Sequence, residues 1–391
     1  MRRGIATFTL DGGKCPPWLW KRMVNLGREM VRVLIEEFGP DEFIKRIADP
    51  VWFQSLGTVL AFDWNASGLT TILTAALKES IRGAEKDYGI FIAGGKGKTS
   101  RKTPSEIMSW GETLQLPAVD SERLVYNSKM TAKVDSALVQ DGFQIYHHTF
   151  FFSRNGMWAV VQQGMNKENR TARRYHWFSE HVDDLIVEPH AGIVSDRLGQ
   201  KIDLNMTAKG IDKNRNLAID LVNSGYETAM KDIQLLRRHY AKFTKMVKFK
   251  HKENEYTLMN MAPVEFGPFD LPVADEDFSR SKYLEKVLAK VTFEKPDSYE
   301  QLLATEGVGP KTIRALALVG EVIYGANASY EDPARYSFAH GGKDASPYPV
   351  DRQTYDATIQ IMRAIVSKTK LEVAEKNTID RRLNEALQRN N

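Results

Sequence analysis

Glu306-Gly307-Val308-Gly309-Pro310-Lys311-Thr312-Ile313-Arg314-Ala315 is the stretch on which the reading of this chain turns. Upstream of it, Tyr299, Leu302 and Leu303 lie at helical spacing. Downstream, Ile313, Leu316, Ala317 and Val319 or Gly320 continue an apolar helical stripe. Glycine on both sides of Val308 permits a tight hairpin and a close approach of the backbone to a ligand. Pro310 suits the first turn of a helix, where its missing N–H costs nothing. The stretch therefore predicts a helix-hairpin-helix. Its second helix would turn free N–H groups and the positive end of its dipole toward a phosphate. Gly307, Val308, Gly309 and Thr312 are the backbone-gripping residues that this reading expects.

Composition narrows the class. A chain of 391 residues is expected to form two or three domains. With 42% hydrophobic and 27% charged residues it reads as a globular protein, and no run approaches the length of a membrane span. No signal peptide is visible at the start. The single cysteine, Cys15, excludes an internal disulfide, an iron–sulfur cluster and a multi-cysteine zinc site. No cofactor and no metal is expected, and the expected location is cytoplasmic and nucleoid-associated. The net charge of +4 allows local basic patches without arguing for nucleic acid by itself.

All seven tryptophans fall between Trp18 and Trp177, which suggests two unlike parts. The expected fold is α+β, with a mixed α/β N-terminal domain over residues 1–215 and an all-helical domain over 216–391. In the first part, Trp18 to Phe38 reads as a helix stopped by Gly39-Pro40. Thr58 to Trp64 reads as a strand, Gly68 to Ile81 as a helix, and Gly89 to Ala93 as a strand. Phe143 to Phe152 and Met157 to Gln163 form a hairpin pattern around Asn155-Gly156. In the second part, helices are expected at Ala218 to Val222, Met230 to Phe243, Arg280 to Val291, Tyr299 to Thr305, Lys311 to Tyr324, Arg352 to Thr369 and Leu371 to Gln388. A proline-rich connection over 262–272 separates them.

Beyond the hairpin (299–324) comes Tyr348-Pro349-Val350-Asp351-Arg352-Gln353-Thr354. Gly-Val-Gly-Pro-Lys-Thr-Ile followed by Pro-Val-Asp-Arg at a helix start resembles the endonuclease III-like superfamily of helix-hairpin-helix DNA glycosylases, over residues 299–360. By position, Lys311 matches the nucleophilic lysine of that superfamily's strand-cleaving members, and Asp351 (motif 349–351) its activating aspartate. The resemblance implies base-excision repair of double-stranded DNA carrying a damaged base, an oxidised or deaminated pyrimidine, with AP-lyase activity. Arg352 would contact the DNA beside Asp351. The spacing of 40 positions between Lys311 and Asp351 (351 − 311) is about twice that of close relatives of endonuclease III, and their four-cysteine cluster is absent. Over most of its length the chain also resembles an uncharacterised prokaryotic family common in archaea. That likeness rests on 130–136, on Tyr146-His147-His148 and on Gly341-Gly342-Lys343-Asp344 with 349–352.

Residue types alone leave alternatives open. A lysine after Gly-x-Gly contacts a phosphate in non-catalytic hairpins, and an aspartate before a helix is a good N-cap. Gly94-Gly95-Lys96-Gly97-Lys98-Thr99-Ser100-Arg101-Lys102 follows an expected strand. Lys96, Lys98, Arg101 and Lys102 there either clasp a nucleic-acid backbone or decorate a solvated loop. Lys133 and Asp135, two apart in an expected strand, would share a face as a structural ion pair. With His147 they would instead form a second site, that of a nuclease. His147 and His148 would point to opposite faces. Glu188, His190 and Asp196 have only generic metal-ligand spacing. The basic, aromatic-rich run from Arg237 to Lys252 suits either backbone contact or a solvated helix face. Two further function classes therefore stand beside the glycosylase: a metal-dependent nuclease with its site in the first domain, and a non-catalytic DNA-binding repair protein.

Overall fold

Alternation of aromatic and β-branched residues in the first half builds a five-stranded antiparallel sheet. The computed structural model describes residues 15–60, 66–116, 118–168, 170–195, 202–243, 247–251, 254–258, 282–334 and 352–388. The sheet has the order β1 (Ile90–Lys96), β3 (Gln144–Ser153), β4 (Trp158–Asn166), β5 (Thr171–Phe178), β6 (His190–Val194). β3 to β6 run as a meander, and β1 pairs with the outer side of β3. The turn between β3 and β4 is the expected one, with Gly156 at φ +87.

Each face of the sheet is covered by helices. On one face lie α1 (Pro17–Phe38), α2 (Pro40–Ala48), α3 (Pro50–Val59) and α4 (Ala66–Ser80), over Ile90, Ile92, Phe151, Ala159, Val161 and Val194. α13 (Arg352–Lys368) and α14 (Val373–Gln388) join the same core through Met362, Ile365, Val366, Ile379 and Leu383. After a short α5 (Glu85–Tyr88), the other face is covered by α6 (Thr103–Leu114) and α7 (Ala118–Lys133). There Phe91 meets Trp110 at 5.1 Å and Phe150 stacks on Trp158 at 5.6 Å. Residues of opposite parity on one strand thus fill two different cores, as the period of two requires.

The helix over Trp18 to Phe38 and its stop at Gly39 (φ +84) are as the sequence predicts. The strand expected at Thr58 to Trp64 is not: α3 runs through Thr58 and Val59, and residues 61–65 lie outside the described residues. The reason is the start signal. Asp49 caps the helix by accepting from the Val51 and Trp52 amides at 2.8 and 3.4 Å, with Pro50 next. A committed N-terminus carries the helix through β-branched residues.

The contacts divide the chain into two units. Unit 1 comprises 1–136, 142–200 and 332–391; unit 2 comprises 137–141 and 201–331. This division differs from a cut at 215/216, because α13 and α14 complete the core of unit 1. Unit 2 is mainly helical. Its α8 (Asp212–Asn223), α9 (Tyr226–Phe243), α10 (Lys282–Glu294) and α11 (Tyr299–Ala304) surround α12 (Pro310–Tyr324). It is not all-helical, since β2 (Val139–Gln140) pairs with β7 (Leu204–Asn205), and β8 (Val247–His251) with β9 (Asn254–Leu258). No described helix is long and apolar enough to cross a membrane.

Candidate nucleic-acid interface

The hairpin forms where the sequence places it, between α11 and α12 in unit 2. Ser298 caps α11 by accepting from the Gln301 amide at 3.2 Å. The chain then turns through Thr305 to Gly309, with the Val308 amide donating to Thr305 O at 3.2 Å. Gly307 has φ +93, a conformation that L side chains avoid, and an added Cβ would lie 3.1 Å from Val287 Cγ2. Val308 is buried and anchors the turn. Gly309 is the extended N-cap of α12, and the Ile313 amide donates to its carbonyl at 3.1 Å.

This geometry leaves a row of donors. Among the described residues the N–H groups of Gly309, Lys311 and Thr312 make no hydrogen bond, so the positive end of a 15-residue helix opens where the hairpin closes. Lys311 is partly exposed in the first turn and makes no ion pair among the described residues. The Thr312 side chain is not at the surface. It is buried, with a hydroxyl that has no partner among the described residues.

Three neighbours hold the hairpin in place, none of them evident from the motif. The Tyr283 hydroxyl donates to Gly307 O at 3.0 Å. Lys290 Nζ pairs with Glu306, the residue before Gly307, at 2.9 Å. Gln140 of β2 accepts from Arg314 Nε at 2.6 Å and donates to Pro310 O at 2.9 Å, clamping the first turn of α12. Gln140 lies 170 residues before Pro310, a separation at which a single sequence carries no pairing signal. Within the bundle, Asn214 donates to Ala317 O at 3.0 Å and Ala326 O at 2.6 Å.

Asp351 lies outside the described residues, as do Gly341 to Asp344; Arg352 opens α13, its side chain likewise outside them. α13 packs on α1 and α3 within unit 1, whereas Lys311 belongs to unit 2. The side chains of the basic run 237–252 also lie outside the described residues.

In unit 1, the glycine-rich loop leads from β1 through a 3-10 turn, Gly97–Lys102, into α6. Lys96, Lys98, Arg101 and Lys102 are all exposed. Gly94 serves the sheet rather than a ligand. Its N–H donates to Glu106 at 2.8 Å and its carbonyl accepts from Lys78 Nζ at 3.1 Å, while Lys78 and Glu106 pair at 2.6 Å.

The grouping of Lys133, Asp135 and His147 does not form. Lys133 is the last residue of α7 and Asp135 lies in the π-helical turn Val134–Leu138, not in a strand. Positions two apart on a helix do not share a face. His147 and His148 do face opposite sides of the sheet. His147 Nε2 meets Thr74 and Thr149 hydroxyls at 3.2 and 3.0 Å, and burial pushes its pKa down to about 3. His148 Nε2 meets Ser128 at 2.9 Å, and burial lowers its pKa too. Asp135 is instead joined by His190, Gln162 and Trp177. Asp196 lies outside the described residues, among which no three potential metal ligands gather.

The family described as "Protein of unknown function (DUF763)" matches residues 4–350 of the chain, with no accompanying match to the helix-hairpin-helix glycosylases. No curated protein and no solved structure matches the chain. The chain belongs to the DUF763 family.

Proposed function

We propose that this DUF763 protein binds DNA through the hairpin of unit 2 and acts there as a repair glycosylase with lyase activity, Lys311 being the nucleophile. The observation that carries the reading is the row of unbonded amides at Gly309, Lys311 and Thr312, with the Lys311 side chain beside them in the same turn. Such a row fits the phosphate oxygens of a DNA backbone. A lysine held beside that backbone is within reach of a sugar whose base has been flipped out.

The chemistry assigned to Lys311 is imine formation. Its neutral amine attacks C1′ as the glycosidic bond breaks, and the departing base takes the bonding electron pair and a proton. Opening of the sugar ring gives the Schiff base, from which loss of a C2′ proton breaks the C3′–O bond. Asp351 would favour the cationic sugar electrostatically. The proposed substrate is duplex DNA with an oxidised or deaminated pyrimidine.

Borohydride trapping in chelator, on duplexes each carrying one damaged base or an abasic site, tests this. The expected result is a covalent adduct that is lost in Lys311→Gln, with DNA affinity kept within about threefold. Absence of any adduct, with base release also absent, overturns the glycosylase-lyase reading.

A second reading is binding without catalysis. It is favoured by one observation: the unbonded amides of Gly309, Lys311 and Thr312 suit a phosphate whether or not the Lys311 amine reacts. Salt-dependent duplex binding without adduct or base release would select it. Strand cleavage that chelator abolishes would select a metal-dependent nuclease.

A further inference from the structure

Glu106, Ser109 and Trp110, three and four positions apart, share one face of α6. With Ile81 and Ile92, both buried, they line a cavity of about 270 Å³ inside unit 1. That volume falls just under the range of about 300–1,000 Å³ of sites for whole small molecules, and it suits a fragment of one. One wall is held rigidly. Lys78 Nζ pairs with Glu106 Oε2 at 2.6 Å and donates to Gly94 O at 3.1 Å, and the Gly94 amide donates to the same carboxylate oxygen at 2.8 Å.

Several polar groups of the lining remain unused. Among the described residues, Glu106 Oε1, the Ser109 hydroxyl and the Trp110 indole N–H make no hydrogen bond. None of the three is a fully buried atom left without a partner, so each is open to solvent. They offer an acceptor, a hydroxyl and a donor beside apolar side chains. At the rim, Arg82 is 74% exposed and pairs with Glu79 at 3.1 Å, while Glu85 accepts from the Gly83 amide at 2.7 Å. The basic loop starts from the same wall. Lys96 lies two residues beyond Gly94 on β1, and Lys102 lies one helical turn before Glu106, in line with it. Lys98, Arg101 and Lys102 are exposed and make no ion pair among the described residues.

We propose that this cavity holds one unstacked base of a single-stranded nucleic acid, whose phosphates run over the basic loop. A base has two apolar faces and a polar edge, which the apolar lining and the unused groups complement. Its phosphates need cations that are not already paired, and the loop supplies them one turn away. Glu106 Oε1 accepts from an exocyclic amino group, which adenine, cytosine and guanine carry and thymine lacks. The Ser109 hydroxyl or the Trp110 N–H donates to the ring nitrogen beside that group. The site lies in unit 1 and does not rest on the hairpin, whose proposed grip is on phosphate.

Fluorescence anisotropy of the full-length chain with labelled oligo-dC, oligo-dT and an abasic deoxyribose-phosphate strand of equal length tests this. Contacts to phosphate, the hairpin's included, are common to the three strands and cancel in the comparison. Oligo-dC is expected to bind about tenfold more tightly than the abasic strand, with oligo-dT between the two. Ser109→Trp fills the cavity from an exposed position. It should bring oligo-dC down to the abasic affinity and leave the abasic strand unaffected. Should that side chain disturb the fold, seen as a fall in the thermal midpoint, Ser109→Leu is the smaller filling and carries the same expectation. Lys98→Gln should weaken all three strands alike. Equal affinity for oligo-dC and the abasic strand, or oligo-dC binding unchanged in a folded Ser109 variant, overturns the proposal. Deoxycytidine monophosphate that binds as tightly as oligo-dC and displaces it also overturns it, in favour of a free nucleotide.

Discussion

Arg173 grips Asp332 with both prongs of its guanidinium, Nη1 to Oδ1 and Nη2 to Oδ2, each at 3.0 Å and across 159 residues of chain. Both side chains are almost wholly buried, 4% and 2% exposed, and the guanidinium also lies over the Phe143 ring at 4.8 Å. The pair ties the returning segment at 332 to strand β5. Removing one partner strands the other charge in a dry site. Asp332→Ala is expected to cost about 3–5 kcal/mol of stability in urea unfolding. A cost below about 1 kcal/mol would mean that solvent reaches the arginine.

Three buried histidines make stability depend on mildly acidic pH. His147, His148 and His176 have their pKa values lowered, foremost by burial, His147 to about 3. The unfolded chain takes up protons near the ordinary histidine value of about 6.5, whereas the folded chain refuses them until far lower. Their contribution is therefore complete above pH of about 6.5 and is lost as pH falls from there toward the folded values. Each histidine supplies a slope of about 1.4 kcal/mol per pH unit in that window. Urea midpoints at pH values of about 7.5, 6 and 5 should fall in that order, with His147→Gln flattening the fall by about a third. A midpoint constant across that range would contradict the burial of these rings.

The glycines of the basic loop are expected to separate by role. A Cβ at Gly94, where φ is +89, would come within 2.3 Å of His148 O and 2.4 Å of Thr103 Oγ1. Gly94→Ala should cost about 3 kcal/mol. At Gly97, where φ is +60, a Cβ meets nothing within 4 Å, so Gly97→Ala should cost about 1 kcal/mol from backbone strain alone. Equal costs at the two positions would sink the distinction.

If the exposed cations of that loop touch DNA phosphates, Lys98→Gln and Arg101→Gln should each reduce the salt dependence of binding by about one unit of log–log slope. Stability should stay within about 0.5 kcal/mol, because both side chains are exposed. Unaltered slopes in both variants would confine the interface to unit 2.

Local signals were legible in the sequence. The hairpin at Gly307 to Gly309, the β3–β4 turn at Asn155-Gly156 and the end of α1 at Gly39 each follow from residues within one or two turns. The opposite facing of His147 and His148 follows from strand alternation. What was not legible depends on distant partners. Asp135 reads as strand only while its partners are unknown; Gln162, Trp177 and His190 come from β4, β5 and β6. The clamp of Gln140 on α12 and the grip of Arg173 on Asp332 span similar distances. The extent of unit 1 was hidden for the same reason, because an apolar stripe on α13 does not say which core it enters.

Unit 2 consists of 137–141 and 201–331, so all its segments exist before α13 is translated. Unit 1 begins the chain, yet its core still lacks Met362, Ile365, Val366, Ile379 and Leu383 at that stage. The unit begun first is thus the unit finished last. On the ribosome its apolar surface must wait, uncovered or shielded by a chaperone, while a later unit folds ahead of it.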